Sequence, residues 1–152
     1  MTTSAGLPAS IMSLLDGSEL ESKVGVTLLL VVSDDAGWPR IASLSVGELF
    51  AARPDELLLT MYERSRTTQA LISRGRAVLH VVDDGAILKV NLGAEVLGSA
   101  DGRTTFRCTV DAVERDEVPY ARVIHGIEFE LVRESGALTR WARQLDELKE
   151  LA

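Results

Sequence analysis

Cysteine, histidine and aromatic residues are scarce in this sequence, and each shortage narrows the chemistry it can perform. The one cysteine among 152 residues, Cys108, excludes an internal disulfide and a cysteine-based zinc site. The two histidines, His80 and His125, have no histidine, cysteine or carboxylate at a recognisable metal-ligand spacing. The sequence therefore predicts no metal site, and His80, within an apolar run, is interpreted as a structural strand residue.

Long hydrophobic runs and positive charge are also in short supply. The longest apolar run, Val26–Val32, is far shorter than the roughly 20 residues that a membrane-spanning helix needs. The first residues lack the basic and apolar regions of a secretory signal, so we expect a cytoplasmic protein without a membrane partner. The net charge of −7 repels nucleic-acid backbones in general, so we expect no nucleic-acid partner. A local basic pocket for a small anion remains compatible with that charge.

The common catalytic motifs are absent as well. The sequence has no Gly-x-Ser-x-Gly nucleophile elbow, no P-loop and no Gly-x-Gly-x-x-Gly dinucleotide motif. Cys108 lies on the apolar face of an alternating segment, which argues against a nucleophilic thiol. Enzymatic chemistry would therefore need a bound organic cofactor, and no residue is assigned as catalytic. Trp38, Tyr120 and Trp141 are candidates for stacking on a bound ring, although such residues are more often part of a core or an interface.

What the sequence does contain is the pattern of one β-rich domain. With 46% hydrophobic and 26% charged residues, and without a repeat or linker, residues 1–152 are expected to form a single domain. Apolar runs and alternation predict about seven strands, at 24–33, 40–46, 56–62, 76–82, 87–97, 104–113 and 126–132. Helical periodicity and capping residues predict three helices and a short helical or irregular connection, at 9–15, 65–74, 138–151 and 50–54 respectively. Sequential strands joined by short turns predict a mainly β, antiparallel barrel of Greek-key type, with short flanking helices and a C-terminal helix.

A cationic, hydroxyl-rich segment follows the third predicted strand. After Tyr62 the sequence continues Glu-Arg-Ser-Arg-Thr-Thr, with Ser65 as the predicted N-cap of the next helix. Free amides at a helix start, together with hydroxyl and guanidinium groups, bind anions such as phosphate. Arg64 and Arg66 therefore indicate an anion site in an otherwise acidic protein. The alternative is a capped surface helix whose arginines are only solvated.

The strand after the first predicted hairpin turn has a half-polar face. Alternation places Ile41, Ser43 and Ser45 on one face of the strand Arg40–Val46 and apolar residues on the other. Such a face suits the edge of a flat ligand with a polar rim. The alternative is an ordinary strand with one face in solvent.

The order of these motifs is similar to that of a known family. A hairpin turn with Gly37-Trp38-Pro39 is followed by Leu57-Leu58-Leu59-Thr60, then Ser65-Arg66-Thr67-Thr68, then Gly75-Arg76-Ala77-Val78-Leu79. Over residues 24–97 the chain resembles the FMN-binding split β-barrel family typified by pyridoxamine 5′-phosphate oxidase-like proteins. The resemblance implies an antiparallel split β-barrel, FMN as cofactor, redox transfer to an unidentified small-molecule substrate, and a homodimer with two flavins at the subunit interface.

The resemblance also implies which residues bind the flavin. The positions that match the phosphate side of the family's site are Thr60, Ser65, Arg66 and Thr67, with Thr68 as a further candidate. The strand that borders the isoalloxazine ring matches Ile41, Ala42, Ser43, Leu44 and Ser45. Arg40, which precedes that strand segment, is expected to reach ribityl or phosphate oxygens.

Two departures from the family's pattern limit the prediction of function. Thr67 stands where the family typically has lysine, and the C-terminal helix stands where vitamin B6 oxidases carry the arginine and histidine that grip their substrate. We therefore expect a flavin-dependent oxidoreductase other than a true pyridoxamine phosphate oxidase. The alternatives are a non-catalytic dimer that binds or senses a flavin, a deazaflavin- or haem-binding protein, and a cofactor-free β-barrel that acts through protein contacts.

Overall fold

The computed structural model describes residues 2–152, and antiparallel strands are its main element. The eight strands are, in chain order, β1 Thr2–Ser4, β2 Leu28–Ser33, β3 Pro39–Leu44, β4 Leu49–Arg53, β5 Glu56–Tyr62, β6 Arg76–Asp83, β7 Ala86–Ala100 and β8 Arg103–Asp116. The helices are α1 Ala9–Leu14, α2 Arg66–Arg74 and α3 Ala137–Leu151, with a short 3₁₀ helix at Leu20–Lys23.

The strands form one antiparallel sheet that does not close on itself. Its order is β3-β2-β6-β7-β8-β5-β4, and β1 pairs with β8. The long strands β7 and β8 pair along most of their length, with register shifts at 91/92 and 96/98. Such bulges bend a strand and allow a sheet to curl. Strands β3 and β4 are the two ends of this path although only residues 45–48 separate them in sequence, and the gap between them is called the seam below.

Local sequence explains the two hairpins that build the middle of the sheet. Between β6 and β7, Asp84 and Gly85 have φ angles of 43° and 81°; between β7 and β8, Asp101 and Gly102 have φ angles of 53° and 76°. Two successive positive φ angles are the requirement of the hairpin turns that favour Asp-Gly. Asp83-Asp84-Gly85 and Ala100-Asp101-Gly102 are turn signals in the sequence, and the structure has a turn at each.

Strand β5 is buried on both faces because a helix covers its outer side. Leu57 and Leu59 belong to the main core, whereas Leu58 packs with Leu145 and Leu148 of α3. This double burial explains the uninterrupted apolar run in the sequence. Of the apolar stripe predicted for the last helix, Trp141, Leu145 and Leu148 are buried, whereas Ala142 is exposed.

Two predicted segments are wrong. Residues 50–54 were expected to form a helical or irregular connection, but β4 pairs there with β5 and buries Leu49 and Ala51 on alternate positions. Residues 126–132 were expected to form a strand, but they have no ladder partner among residues 2–152. Their two backbone hydrogen bonds run from the Phe129 N–H to the Gly25 carbonyl and from the Ser135 N–H to the Val132 carbonyl. Their alternation reflects the packing of Phe129 and Leu131 against the core, which requires no strand neighbour.

The first predicted strand is also shorter than its apolar run. The predicted strand begins at residue 24, but β2 begins at Leu28, because the chain leaves the 3₁₀ helix through Gly25, which has a φ of 100°. Strand β1 was not predicted, since three polar residues carry no usable alternation. The helices at 9–15, 65–74 and 138–151 are confirmed to within one residue at each end.

Within the part of the chain that the structure describes, the thiol is not in a nucleophilic environment and the carboxylates do not form a metal site. Cys108 is buried, and burial raises the pKa of its thiol to about 12, which leaves it unreactive at neutral pH. Within residues 2–152, no group of three or more histidine, cysteine, aspartate or glutamate side chains could hold a metal ion. None of the helices in this range has the length and apolar character to cross a bilayer.

Candidate functional site

The N-terminus of α2 is organised by hydroxyl groups. Ser65 is the N-cap: its Oγ accepts a hydrogen bond from the Thr68 N–H at 3.0 Å and lies 2.7 Å from Thr68 Oγ1. Thr68, which is fully buried, donates in turn to the Tyr62 carbonyl at 2.6 Å. These bonds fix the turn between β5 and α2 and leave the amides of Arg66 and Thr67 without an acceptor inside the helix.

Three arginines meet in a cleft beside this helix start, called the α2 cleft here. It has a volume of about 350 Å³ and lies between the β2–β3 turn and the first turns of α2. Arg40, Arg64 and Arg66 line it. Arg64 and Arg66 are exposed and form no ion pair with any carboxylate of residues 2–152. The sequence predicted Arg40 and Arg66 as binding residues, and the fold brings them together from segments 26 positions apart.

Asp34 lines the α2 cleft on the side of the β2–β3 turn. One carboxylate oxygen accepts from the amides of Trp38 and Ala36, and the other lies 2.9 Å from Arg40 Nε. The hydrogen bond from Trp38, together with those from Arg40 and Ala36, lowers the pKa of Asp34. Asp34 therefore stays ionised and orients Arg40, whose two Nη groups remain available to an anion.

The predicted ring-bordering strand leads from the α2 cleft to a second cleft at the seam. Ile41 and Ser43 of β3 are exposed on its outer face, and Ser43, Leu44 and Ser45 line the second cleft, of about 360 Å³. This seam cleft is completed by Glu48, by Trp141 and Arg140 of α3, and by Phe129. Arg40 and Ser43 are three residues apart on an extended strand, so roughly 10 Å of backbone joins the two clefts.

Glu48 supplies the carboxylate of the seam cleft, and sequence reasoning did not select it. Its carboxylate accepts hydrogen bonds from the Ser45 amide at 2.6 Å and from the Ser45 hydroxyl. Burial raises the pKa of Glu48, while those hydrogen bonds and the nearby positive charges of Arg103 and Arg140 act in the opposite direction. The spacing Ser-x-x-Glu is the signature of a capping box, and it was available in the sequence as a signal for this bond.

The Glu48→Gln variant is expected to be more stable than the wild type at neutral pH, by a margin that shrinks on acidification. A carboxyl group whose pKa is raised by folding holds its proton more tightly in the native state. Its contribution to stability is therefore lost as pH rises from its unfolded pKa through its folded pKa. Urea denaturation of both proteins between pH 4 and pH 8 measures this difference. A margin that is constant across that range would contradict the raised pKa.

Of the predicted phosphate-side residues, Arg66 lines the α2 cleft, whereas Ser65, Thr67 and Thr68 belong to the helix start beside it and do not line it. Thr60 lies further away. It is buried in β5, where its hydroxyl oxygen accepts from Arg103 Nε at 3.0 Å and its carbonyl accepts from Arg103 Nη2 at 2.9 Å. Thr60 and Arg103 line a third cleft, the α3 cleft, between the β5–β8 pair and α3. Sequence reasoning did not select Arg103, because only the pairing of β5 with β8 brings it to Thr60.

The comparisons with known proteins identify this fold. No protein-family model matches the sequence. The protein YclD of Bacillus subtilis (strain 168), itself uncharacterised, is 27% identical over 143 residues, which are 91% of this chain and 93% of YclD. A candidate pyridoxamine 5′-phosphate oxidase from Lactobacillus delbrueckii superposes with a TM-score of 0.56 at 17% identity, covering 75% of this chain and 99% of that one. The chain has the split-barrel fold of the pyridoxamine 5′-phosphate oxidase-like proteins.

Other solved structures resemble this chain with slightly lower TM-scores. An FMN-binding protein from Syntrophomonas wolfei covers 72% of the chain and 91% of its own length at 15% identity, with a TM-score of 0.53. An F420 reductase and the haem storage protein HutZ of Vibrio cholerae give TM-scores of 0.52 and 0.51 at 12% and 11% identity, covering 71% and 72% of this chain and 98% and 95% of their own lengths. The predicted split-barrel fold is confirmed, and the structures similar to it include an FMN-binding protein, an F420 reductase and a haem storage protein.

A further cavity, larger than the three clefts, carries none of the predicted site residues. It measures about 830 Å³ and lies between residues 122–129 and the start of β2. Its arginine is already paired, since Arg122 Nη2 lies 3.5 Å from Asp84 Oδ1. The α2 cleft, in contrast, is lined by Arg64 and Arg66, which form no ion pair within the described residues.

Proposed function

We propose that the protein binds FMN and uses it in redox transfer to a small-molecule substrate. The observation that carries the proposal is the convergence of Arg40, Arg64 and Arg66 on one cleft at a helix N-terminus, in a protein with a net charge of −7. Guanidinium groups and free helix amides are the partners that a phosphate monoester prefers.

The residues of the α2 cleft suit the phosphate group of FMN. Arg66 and Arg64 are unpaired within the described chain, and Arg40 is oriented by Asp34 with donors to spare. Ser65 and Thr68 contribute by fixing the helix start, because their hydroxyl groups bond to each other and to the turn. Thr67 continues the first turn of α2, where its amide is free of an intrahelical acceptor.

The outer face of β3 and the seam cleft suit the ring system. A phosphate held at the α2 cleft leaves the rest of the cofactor to follow β3 past Ile41 and Ser43 toward Ser45. Bound there, the flavin would supply the hydride or electron transfer that no side chain of this protein can perform. The protein would orient the ring, exclude water with Trp141 and Phe129, and present polar groups at its edge.

We further propose that the functional unit is a cytoplasmic homodimer. Trp38 and Ile41 are 68% and 62% exposed and lie beside the same strand that would carry the ring. Apolar side chains of this size on a ligand-binding face favour burial against a second subunit. Light scattering on the purified protein measures the mass of the particle directly.

Replacing Arg66 by alanine is expected to weaken FMN binding by roughly 10- to 150-fold, equivalent to about 1.5–3 kcal/mol for one charge-assisted phosphate contact. Fluorescence titration of FMN against the wild type and the variant measures the two affinities. Arg133→Ala is the matched control, because Arg133 is exposed and lies outside the three clefts. Equal FMN affinities for the wild type and Arg66→Ala would remove Arg66 from the site, and a wild type that does not bind FMN would refute the proposal.

A second candidate function is storage or sensing of the cofactor without turnover. It is supported by Glu48, the carboxylate of the seam cleft. This carboxylate accepts hydrogen bonds from Ser45 of its own turn, so it is engaged in structure and not free to take part in turnover. The absorbance spectrum and mass of any ligand released from freshly purified protein distinguish FMN from a deazaflavin or haem. Loss of the flavin absorbance on addition of a reduced nicotinamide would support an oxidoreductase. A coloured protein whose absorbance is unchanged by reductants would support storage.

A further inference from the structure

A second group of arginines lies in the α3 cleft, on the other side of the seam from the α2 cleft. Arg103 of β8 and Arg140 and Arg143 of α3 line this cleft, which has a volume of about 400 Å³. That volume is within the range of small-molecule sites. Three guanidinium groups in one concavity are unexpected in a protein with 16 basic and 23 acidic residues.

Arg103 is held in place before any ligand arrives. Its Nε and Nη2 atoms donate hydrogen bonds to Thr60, and its Cζ atom lies 4.7 Å from the centre of the Tyr62 ring. Both contacts restrict the side chain, and a restricted donor loses less entropy on binding. Two of its five N–H groups are used in these bonds, so three remain for an acceptor.

Arg140 and Arg143 supply unpaired charge to the same cleft. Both are exposed, and within residues 2–152 neither forms an ion pair or a side-chain hydrogen bond. Asp101 and Glu147 also line the cleft, but neither is within ion-pair distance of these three arginines. The cleft therefore has an excess of positive charge whose hydrogen-bond donors lack protein acceptors.

We propose that the α3 cleft binds the phosphate or carboxylate group of a small molecule through Arg103, Arg140 and Arg143. Planar guanidinium groups form paired hydrogen bonds with both kinds of anion, so the shared chemistry is that of a compact oxyanion. Arg140 also lines the seam cleft, so an anion bound here lies next to the place proposed for the flavin ring. Anion binding itself does not require the flavin, and the two proposals stand or fall separately.

Calorimetric titration with inorganic pyrophosphate and, separately, with citrate tests this site at low ionic strength, where surface charge is least screened. The informative variant is Arg140→Gln/Arg143→Gln, which removes two charges from exposed positions and leaves Arg103 with Thr60. Two controls carry equivalent changes elsewhere: Arg64→Gln/Arg66→Gln in the α2 cleft and Arg133→Gln outside the three clefts. Thermal melts of all variants verify that each is folded.

The expected result is a site in the wild type that Arg140→Gln/Arg143→Gln weakens by about tenfold or more and that both controls retain. A preference for pyrophosphate would identify a phosphate ligand, and a preference for citrate a carboxylate ligand. FMN titration of Arg143→Gln separates the two proposals, since Arg143 lines the α3 cleft but not the seam cleft and this variant should bind FMN as the wild type does. Absence of binding by both probes, or loss confined to Arg64→Gln/Arg66→Gln, would overturn the assignment.

Discussion

The Trp141→Ala variant is expected to unfold with a free energy about 3–5 kcal/mol lower than that of the wild type. Trp141 is 4% exposed, meets the Phe129 ring edge-on at a centroid distance of 6.2 Å, and lies against the backbone of Gly47. Its removal leaves a cavity at the point where α3 reaches the seam. The loss therefore combines the transfer of a large apolar surface to water with the cost of the cavity.

Urea denaturation followed by circular dichroism measures this difference. Thr139→Ala is the matched control, because it truncates an exposed side chain of the same helix and should change the free energy of unfolding by less than about 0.5 kcal/mol. A loss below about 1 kcal/mol for Trp141→Ala would mean that α3 does not depend on this residue for its position.

The Gly47→Ala variant, which adds a methyl group where Trp141 contacts the backbone, is expected to lower the free energy of unfolding nearly as much. A Cβ built on Gly47 would overlap the indole ring of Trp141, so Gly47→Ala must displace the ring or the turn. Gln144 makes displacement of the turn costly, because its side chain donates to the Gly47 carbonyl at 2.9 Å. We expect a destabilisation at the upper end of the range of about 1–3 kcal/mol that overpacking produces.

The double variant separates a steric effect from a backbone effect. If the indole ring is what the new methyl group meets, Gly47→Ala should cost close to nothing in the Trp141→Ala background. Gly98→Ala is the control, because a Cβ at Gly98 meets no atom within 4 Å. An unchanged penalty for Gly47→Ala in both backgrounds would place its cause in the backbone of the turn.

Local signals in the sequence were sufficient for most elements of the fold. The Asp-Gly turns, the Ser65 cap, the Gly75 C-cap and most of the apolar stripe of α3 each specify a structure through neighbouring residues alone, and the structure confirms them. Residues 126–132 show the limit of such signals. An alternating pattern reports which side chains are buried, whereas a strand also needs a neighbour to accept its hydrogen bonds.

The candidate site was only partly accessible to sequence reasoning, because its parts come from distant segments. The cationic residues around α2 could be selected from their spacing with Ser65. Their meeting with Arg40 depends on the β2–β3 hairpin, and the place of Arg103 depends on the register between β5 and β8. Glu48 was missed although the Ser-x-x-Glu spacing is local, because its burial arises from α3 and residues 127–131 packing over the seam.

The open seam has a consequence for how a ligand is recognised. As the last strand of the sheet, β3 pairs with β2 on one side, so alternate residues present unpaired amides and carbonyls on the other. A flat molecule lying along that edge would be read by the main chain, whose donors and acceptors are the same whatever side chain is attached. Recognition of this kind is retained when the side chains of β3 are substituted, as long as the strand remains extended.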